Sequence, residues 1–309
     1  PLLTDLLKDI NDSGFDVSLT GFDADEIDIL FRDSVVAGVK EDEFDKPLPE
    51  KPISRQGDIW MLGKHKLICG DSTKPETYSM LMEGQKASLI VTDPPYNVAY
   101  EGNAGTIKND NMESQKFHEF LLSAFKCMYE NLADGGSIYV FHADRETVNF
   151  RTAFSEAGFF CHQTCIWVKN TPVLGRCAYQ YNHEPILMGW KPTAGHQWYA
   201  DRKQRTTWNF DRPSKSKYHP TMKPVALVAY PIVNSSLSNS IVLDPFGGSG
   251  STLIACEQTG RVCHTIELDE KYVDVIVERF RVFKGFDEGI YLLRDGEKIC
   301  YEKAREINK

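Results

Sequence analysis

The chain has 309 residues, 41% of them hydrophobic, which is enough to bury the core of one large domain or of two modest ones. It contains no run of about 18 apolar residues, and this excludes a membrane-spanning helix. The eight cysteines include no Cys-x-x-Cys pair, so neither a paired zinc site nor a dense disulfide scaffold fits. We expect no bound metal, and small buried cysteines in a reducing cytosol. Because the chain begins at Pro1 rather than at methionine and shows no signal peptide, we expect a fragment of a longer protein.

The first third of the chain is predicted to hold helices, a linker, a hairpin and a strand. Residues 1–33 form two short helical pieces around a turn at 19–22, and the acidic, proline-containing residues 36–55 form an extended linker. A hairpin follows from Asp58 to Cys69, with Gly63 at its turn, and the apolar residues 87–92 form a buried strand.

The remaining elements alternate between helices and strands. The predicted helices are 114–133, 145–157, 224–237, a segment ending near Gln258, and 269–283. The predicted strands are 137–141, 159–168, 185–190, 241–243 and 261–267, and a hairpin at 290–301 turns at Asp295-Gly296. Strands that alternate with helices predict an α/β fold, with a mostly parallel sheet and helices on both faces.

The net charge of −9 is unevenly distributed along the chain. Residues 1–55 carry 14 acidic and 6 basic side chains, whereas residues 164–223 carry 10 basic and 3 acidic ones. A solvated charged face is one interpretation of the basic segment. Its aromatic residues favour another, because basic groups mixed with aromatic rings suit phosphates and stacked bases. These aromatic residues are Trp190, Trp198, Tyr199, Trp208, Phe210 and Tyr218.

The sequence Asp93-Pro94-Pro95-Tyr96 follows the strand at 87–92, and open α/β sheets place ligands at the carboxyl ends of their strands. Two prolines fix the backbone and have no N–H, so their carbonyls are left to accept hydrogen bonds. Asp93 adds a carboxylate acceptor and Tyr96 adds a flat ring. Together they suit the amino group of a nucleobase, held so that its nitrogen meets an electrophilic methyl group. The alternative is an ordinary turn, in which Pro-Pro is common.

A second strand also ends in Asp-Pro and continues through a glycine-rich turn into a helix. Glycines let a ligand approach the backbone, and a helix N-terminus favours a carboxylate. No lysine follows the glycines, which argues against a phosphate-binding loop of nucleotide hydrolases. Glu267 ends the next strand, where an acid can accept hydrogen bonds from ribose hydroxyls. The candidate ligand-binding residues of the turn are Asp244, Phe246, Gly247, Gly248, Ser249, Gly250, Ser251 and Thr252.

Together, these two motifs resemble those of the amino-group DNA methyltransferases. The catalytic motif precedes the cofactor motif, which resembles the permuted, beta-group order of that family. The resemblance implies a Rossmann-like fold that uses S-adenosylmethionine, with Asp93 near both the base and the cofactor. Asp71 and Ser72 resemble a short motif near the cofactor's adenine. Thr221 and Lys223 resemble residues near its methionine end, and Glu267 resembles the ribose-binding acid.

The family resemblance implies site-specific methylation at N6 of adenine in double-stranded DNA, after the base is flipped out. Tyr96 would stack on the ring, while Asp93 and the Pro94 carbonyl would accept from the amino group. We interpret His183-Glu184 as structural, because this transfer needs no acid–base pair. The predicted DNA-binding residues are Lys169, Arg202, Lys203, Arg205, Arg212, Lys215 and Lys217.

The predicted domains are an N-terminal helical remnant with its acidic linker (1–55) and a methyltransferase domain (56–309). Within the latter, 171–218 forms a recognition insertion. Residues 19–27 resemble the end of a ParB-like nuclease domain, of the kind fused to bacterial or phage-encoded enzymes of this type. The tail from 286 to 309 matches nothing that we can place.

Three alternatives stay open. Cytosine N4 presents a similar amino group, although Asp at position 93 favours adenine by resemblance. Methylation of RNA or of a protein amide is a weaker alternative, and a non-catalytic DNA-binding or partition module would bind DNA without a cofactor. Cytosine C5 chemistry is rejected because the chain has no Pro-Cys pair. A homodimer and a cognate restriction nuclease are further partners that the resemblance suggests.

Overall fold

The computed structural model describes most of the chain. The described residues are 17–42, 44–99, 101–102, 105–106, 108–173, 177–212 and 222–307, with Leu3, Leu6, Leu7, Asp9, Ile10 and Ser13. Lys215, Lys217, Tyr218 and Thr221, which the sequence singled out, lie outside them.

The described residues form β-strands in the following order. They are β1 (Ile59–Leu62), β2 (His65–Cys69), β3 (Ala87–Thr92), β4 (Glu101–Gly102), β5 (Gly105–Thr106), β6 (Leu132–Phe141), β7 (Phe160–Val173), β8 (Tyr181–Trp190), β9 (Thr207–Asn209), β10 (Ile241–Asp244), β11 (Val262–Glu267), β12 (Ile290–Arg294) and β13 (Glu297–Cys300).

The helices are named in the same way. They are α1 (Ala24–Gly38), α2 (Pro75–Met82), α3 (Ser114–Asn131), α4 (Thr147–Glu156), α5 (Val225–Ser235), α6 (Ser251–Gln258), α7 (Glu270–Lys284) and α8 (Tyr301–Ala304), with 3-10 turns at Val17–Thr20 and Asp144–Glu146. Among the described residues, no helix is both long and apolar enough to cross a membrane.

One sheet of eleven strands organises the described chain, in the order β13-β12-β1-β2-β11-β10-β3-β6-β8-β7-β9. The five strands from β2 to β6 in this order are parallel to one another. The strands β8, β1 and β12 pair with their neighbours in antiparallel fashion. The predicted α/β fold with a parallel sheet is therefore confirmed for the centre, and antiparallel hairpins extend both sides.

Helices cover both faces of this sheet because residues along each central strand alternate between two cores. On β3, Leu89 and Val91 belong to one core and Ile90 to the other. The first core packs against α5, α6 and α7, and the second against α2, α3 and α4. Because the five central strands are parallel, their carboxyl ends all lie at one edge of the sheet, and the loops that follow them meet there.

Several boundaries differ from the prediction. Helix α1 continues to Gly38, beyond the predicted start of the linker at 36, and begins with a capping box between Asp23 and Glu26. The hairpin predicted at 290–301 is present as β12 and β13, and β12 also pairs with β1, which joins the tail to the main sheet. The prediction of buried cysteines is wrong for Cys177 and Cys300, which are exposed.

The predicted recognition insertion at 171–218 also needs correction. Residues 181–190 of that range form β8, which lies between β6 and β7 in the main sheet. Its residues from Pro185 to Gly189 are buried. Only the flanking parts of the range lie outside this central strand, because the antiparallel pairing of β8 on both sides makes it integral to the core.

Candidate active site

A cavity of about 600 Å³ lies where β2, β11, β10 and β3 end. It brings together most of the site residues predicted from the sequence, from both motifs. The predicted residues that line it are Asp71, Ser72, Asp93, Pro94, Pro95, Tyr96, Lys169, Arg212, Lys223, Asp244, Phe246, Gly247, Gly248, Ser249, Ser251, Thr252 and Glu267. Gly250 lies behind this wall as the residue before α6.

The end of β3 holds a hydrogen-bonded pair. The Tyr96 hydroxyl donates to Asp93 Oδ1 at 2.5 Å and also lies 3.1 Å from Glu184 Oε2. The backbone N–H of Tyr96 donates to Asp110 Oδ1 at 2.9 Å, and Val98 N–H donates to the same oxygen at 3.3 Å. Asp110 therefore holds the loop that follows the two prolines, which fixes Tyr96 across the cavity from the glycine-rich turn.

Asp93 also belongs to a network of buried charges. Lys223 Nζ donates to Asp93 Oδ2 at 2.6 Å and lies 3.4 Å from Glu184 Oε2. Lys169 Nζ donates to Glu184 Oε1 at 2.5 Å. Two carboxylates thus face two ammonium groups, and the network carries no net formal charge.

The protonation of this network follows from burial and pairing. Burial raises the pKa of Asp93, although the neighbouring Lys223 ammonium acts in the opposite direction. Burial also acts to raise the pKa of Glu184, but the ammonium groups of Lys223 and Lys169 outweigh it and lower that pKa to about 2. Glu184 is therefore a fixed anion, whereas Asp93 is the more readily protonated acid of the pair.

Asp244, at the end of β10, has only neutral hydrogen-bond partners in the described structure. Its Oδ1 accepts from the Thr92 hydroxyl at 2.8 Å and from Phe246 N–H at 3.2 Å. Burial raises the pKa of Asp244 to about 7, since these neutral donors offset the lost hydration only in part.

Glu267, at the end of β11, has a similar environment. Gly248 N–H donates to its Oε2 at 2.7 Å, and Asp269 N–H donates to its Oε1 at 2.8 Å. Burial again raises its pKa to about 7. The carboxylate ties the glycine-rich turn to the next strand, and it faces the cavity as the sequence predicted.

The glycines of the turn are required by its geometry. Gly248 and Gly250 have φ angles of +52° and +88°, which L side chains rarely adopt. A Cβ at Gly247 would lie 2.6 Å from Thr265 Oγ1, so this backbone packs directly against β11. The turn is therefore held close to the sheet, and the N–H groups of Gly247 and Gly248 donate to Ile266 O and to Glu267 Oε2 at the end of β11.

The predicted DNA-binding residues divide into two groups. Arg202, Lys203 and Arg205 are exposed, and the Lys203 side chain is 90% accessible. Lys169 is only 8% exposed, pairs with Glu184 and lies in the cavity wall. Arg212 lines the cavity as well.

The aromatic residues of the basic segment do not all face solvent. Trp208 is buried against Tyr139 and Tyr230, so its expected availability for base stacking is wrong. Trp198 is exposed, and Trp190 stacks on His196 with ring centroids 4.2 Å apart.

Two site residues were missed or misjudged from the sequence. The sequence predicts a structural role for Glu184, and the structure places its carboxylate in the cavity wall, in contact with Tyr96, Lys169 and Lys223. The only available signal was an acid at the start of an apolar strand. Asp110 lies in a loop without a motif, and nothing in the sequence indicated it.

Two known protein families match different parts of the chain. A family model for N6/N4 methyltransferases, described as DNA methylase, matches residues 87–278. A second model, the ParB-methyltransferase HTH domain, matches residues 1–56. The predicted relationship to ParB is thus confirmed, but to a helix-turn-helix domain and not to the nuclease domain that we expected.

Individual proteins are similar over most of the chain. The type II methyltransferase M.HpaI of Haemophilus parainfluenzae is 28% identical over 245 residues, covering 72% of this chain and 76% of the relative. The crystal structure of an M1.HpyAVI–SAM complex is 25% identical with a TM-score of 0.53, covering 69% of this chain and 98% of that one. PvuII DNA methyltransferase, described as cytosine-N4-specific, has a TM-score of 0.57 at 17% identity, covering 76% and 89%.

Proposed function

Because the chain belongs to the DNA methylase family, we propose that it transfers a methyl group from S-adenosylmethionine to N6 of adenine in double-stranded DNA. One observation carries the proposal. The Asp93–Tyr96 segment and the glycine-rich turn line the same cavity, so an amino group held by the first can meet a methyl donor held by the second.

The cofactor prediction is confirmed by the family and by the related methyltransferase solved with the same compound. S-adenosylmethionine supplies a methyl group on a positively charged sulfur. The residues present fit it: the Glu267 carboxylate faces the cavity where ribose hydroxyls would donate, and the first turn of α6, which has no side-chain cap, would offer backbone N–H groups to a carboxylate. The acids of this half of the cavity also suit a cationic ligand.

The other half of the cavity suits an amino group on a flat ring. Each Asp93 oxygen already accepts one hydrogen bond, from Tyr96 or Lys223, and a carboxylate has about four acceptor sites in all. Asp93 can therefore accept from the base as well. Its raised pKa also favours uptake of the proton that the methylated nitrogen must lose.

Adenine is the preferred base because Asp stands first in the catalytic motif, as in the N6 enzymes that it resembles. The cytosine N4 alternative is kept, since a cytosine-N4-specific enzyme shares this fold. That likeness, at 17% identity, concerns the fold alone.

The base would reach Asp93 after flipping out of the duplex, with Tyr96 stacked on its ring. Arg202, Lys203 and Arg205 would hold phosphates, since they form an exposed basic group on the segment that follows β8. The homodimer and the cognate nuclease stay predictions.

The test is direct. The protein is incubated with unmethylated bacterial DNA and S-adenosylmethionine, and the DNA is digested to nucleosides for mass spectrometry. N6-methyl-2′-deoxyadenosine is the expected product. N4-methyl-2′-deoxycytidine would keep the reaction but overturn the choice of base, and intact DNA binding with no methylated nucleoside would favour the non-catalytic module.

A further inference from the structure

Three consecutive residues of the N-terminal segment contact three helices around the cofactor turn. We call residues 40–42 the strap. The Lys40 backbone exchanges two hydrogen bonds with the Gln258 side chain, at 2.9 and 2.8 Å. Gln258 ends α6, the helix that begins at the glycine-rich turn. The strap therefore begins on the far end of that helix.

Glu41 contacts the second helix. Its two carboxylate oxygens accept from Val225 N–H at 2.9 Å and from Ala226 N–H at 3.0 Å. These donors belong to the first turn of α5, whose preceding residue Pro224 makes no side-chain cap. Glu41 supplies that cap from a distant part of the chain, and a carboxylate is favoured at this end of a helix. Lys223, which holds Asp93, lies two residues before this helix.

Asp42 reaches the cofactor turn through α7. Both of its oxygens accept from Arg279, at 2.7 and 2.6 Å, and Arg279 is only 1% exposed. The same guanidinium donates through Nη1 to the Ser249 carbonyl at 3.0 Å and lies 3.2 Å from Ser251 Oγ. Asp42 therefore fixes an arginine whose remaining donors hold the glycine-rich turn.

The contacts continue to the catalytic side. Ser251 Oγ donates to the Lys223 carbonyl at 2.7 Å, and Lys223 Nζ donates to Asp93. Asp42, Arg279, Ser251 and Lys223 thus form a continuous series of polar contacts that runs behind the cavity wall. Each of these groups is at least partly buried, so water competes weakly for them.

A second buried pair offers a comparison within the same chain. Asp28 of α1 pairs with Arg261, and its side chain is 10% exposed, as is that of Asp42. Arg261 is also 1% exposed, but its other donors reach the carbonyls of Ser236 and Thr259. Neither carbonyl belongs to a residue that lines the cavity. Asp28 accepts one hydrogen bond from Arg261 and two from Ser238, whereas Asp42 accepts two from Arg279. Both aspartates thus hold a buried arginine, but only Arg279 contacts the glycine-rich turn.

We propose that Asp42 is a positioning residue for the cofactor site: acting through Arg279, it holds the Ser249–Ser251 turn in its binding conformation, while Glu41 holds the Lys223 end of α5. The N-terminal segment thereby completes the cofactor site of the methyltransferase domain. This inference rests on the proposed function, because it takes the cavity to bind S-adenosylmethionine.

The experiment compares three full-length proteins by calorimetric titration with S-adenosylmethionine: the wild type, Asp42→Asn, and the matched control Asp28→Asn. Both variants remove one carboxylate charge from a buried arginine, so we expect both to lose thermal stability. Only Asp42→Asn should raise the Kd for the cofactor, by about tenfold, with Asp28→Asn within about twofold of wild type.

Equal Kd values for the two variants would overturn the inference. Absence of binding by the wild type would instead overturn the proposed function, so the two failures are distinguishable. If Asp42→Asn does not fold, the variant Glu41→Gln tests the contact of residue 41 with the first turn of α5. This variant retains the buried Asp42–Arg279 ion pair. The Glu41→Gln variant should lower kcat at saturating cofactor about fivefold and leave the Kd for the cofactor nearly unchanged. If its Kd and kcat both equal those of wild type, the role of Glu41 is contradicted.

Discussion

The carboxylates at the ends of β3 and β10 lie side by side, yet their surroundings differ. Asp93 faces the ammonium of Lys223, whereas Asp244 accepts from a hydroxyl and a backbone N–H. Glu267 resembles Asp244, since both of its partners are backbone N–H groups. In the half of the cavity proposed to hold the base, Asp93 is thus paired with a cation, whereas Asp244 and Glu267, in the half proposed to hold the cofactor, have only neutral hydrogen-bond partners among the described residues.

This difference shows how one sheet edge can serve two ligands. A neutral base is not stabilised by an unpaired charge. Around Asp93, two carboxylates are paired with two ammonium groups, so the carboxylates can accept hydrogen bonds from the base while the network has no net formal charge. A cationic methyl donor gains from nearby anions. Burial raises the pKa values of Asp244 and Glu267 to about 7, and no cation among the described residues forms an ion pair with either carboxylate. The two halves should therefore respond differently to mutation and to pH.

The largest effect is expected from Asp93→Ala. It removes an acceptor for the target amino group and leaves Lys223 without its closest partner, so kcat should fall on the order of 10³-fold. Cofactor binding should change little, because the acids of the cofactor half are untouched. Single-turnover methylation and calorimetric titration would measure the two quantities separately. Normal activity in this variant would contradict the catalytic role of Asp93.

Glu267→Gln tests the other half. The amide can still accept from Gly248 N–H, but it removes one anion, so the Kd for S-adenosylmethionine should rise about 30-fold. The value of kcat at saturating cofactor should stay close to that of wild type. A loss of kcat with an unchanged Kd would show that the separation of the two halves is false.

The pH dependence should distinguish binding from folding. Cofactor affinity should rise about tenfold between pH 6 and 8, because ionisation of Asp244 and Glu267, each near pH 7, creates the anions that attract a cation. Calorimetric titration across this range, repeated with Glu267→Gln, would measure the effect. The variant should show the shallower dependence.

The contribution of these two acids to folding has the opposite sign. Their ordinary pKa values are 3.8 and 4.5, so between those values and about 7 the unfolded chain releases protons that the folded chain keeps. Without cofactor, their contribution to the free energy of unfolding therefore falls as pH rises through this window. Thermal melts of wild type minus those of Glu267→Gln would isolate the contribution of Glu267, and a difference that grows with pH would contradict this assignment.

The smallest effect is expected outside the cavity. Arg205→Ala should weaken DNA binding about threefold and reduce the slope of log K against log salt by about 0.9 if Arg205 contacts one phosphate. Fluorescence anisotropy at several salt concentrations would measure it. An unchanged slope would place the phosphate contact elsewhere.

Local signals in the sequence were sufficient for most of the sheet and for both motifs. The strands β3, β10 and β11 have short apolar runs that end at an acid or just before one, and the hairpin turn at Asp295-Gly296 needs only the positive φ angles of those two residues. Asp93 and Asp244 could be placed together because adjacent parallel strands end at one edge.

Other features depend on contacts between distant parts of the chain, which no local pattern encodes. The segment containing β8 was assigned to an insertion because its sequence neighbours are basic, although pairing with β6 and β7 buries it. Trp208 is one of the six aromatic residues that made the basic segment suitable for stacked bases, but its side chain is buried in the core. Asp42 and Arg279 are 237 residues apart, and an acidic linker gave no reason to expect a buried ion pair.

The two edges of the described sheet have a consequence for self-association. The edge strands β13 and β9 contain only four and three residues, and β13 carries Glu297 and Lys298. Short edges with charged side chains offer little template for a strand from another molecule. A homodimer of this enzyme would therefore join through side chains on a face, and an exposed edge would not recruit further copies into an extended β-sheet.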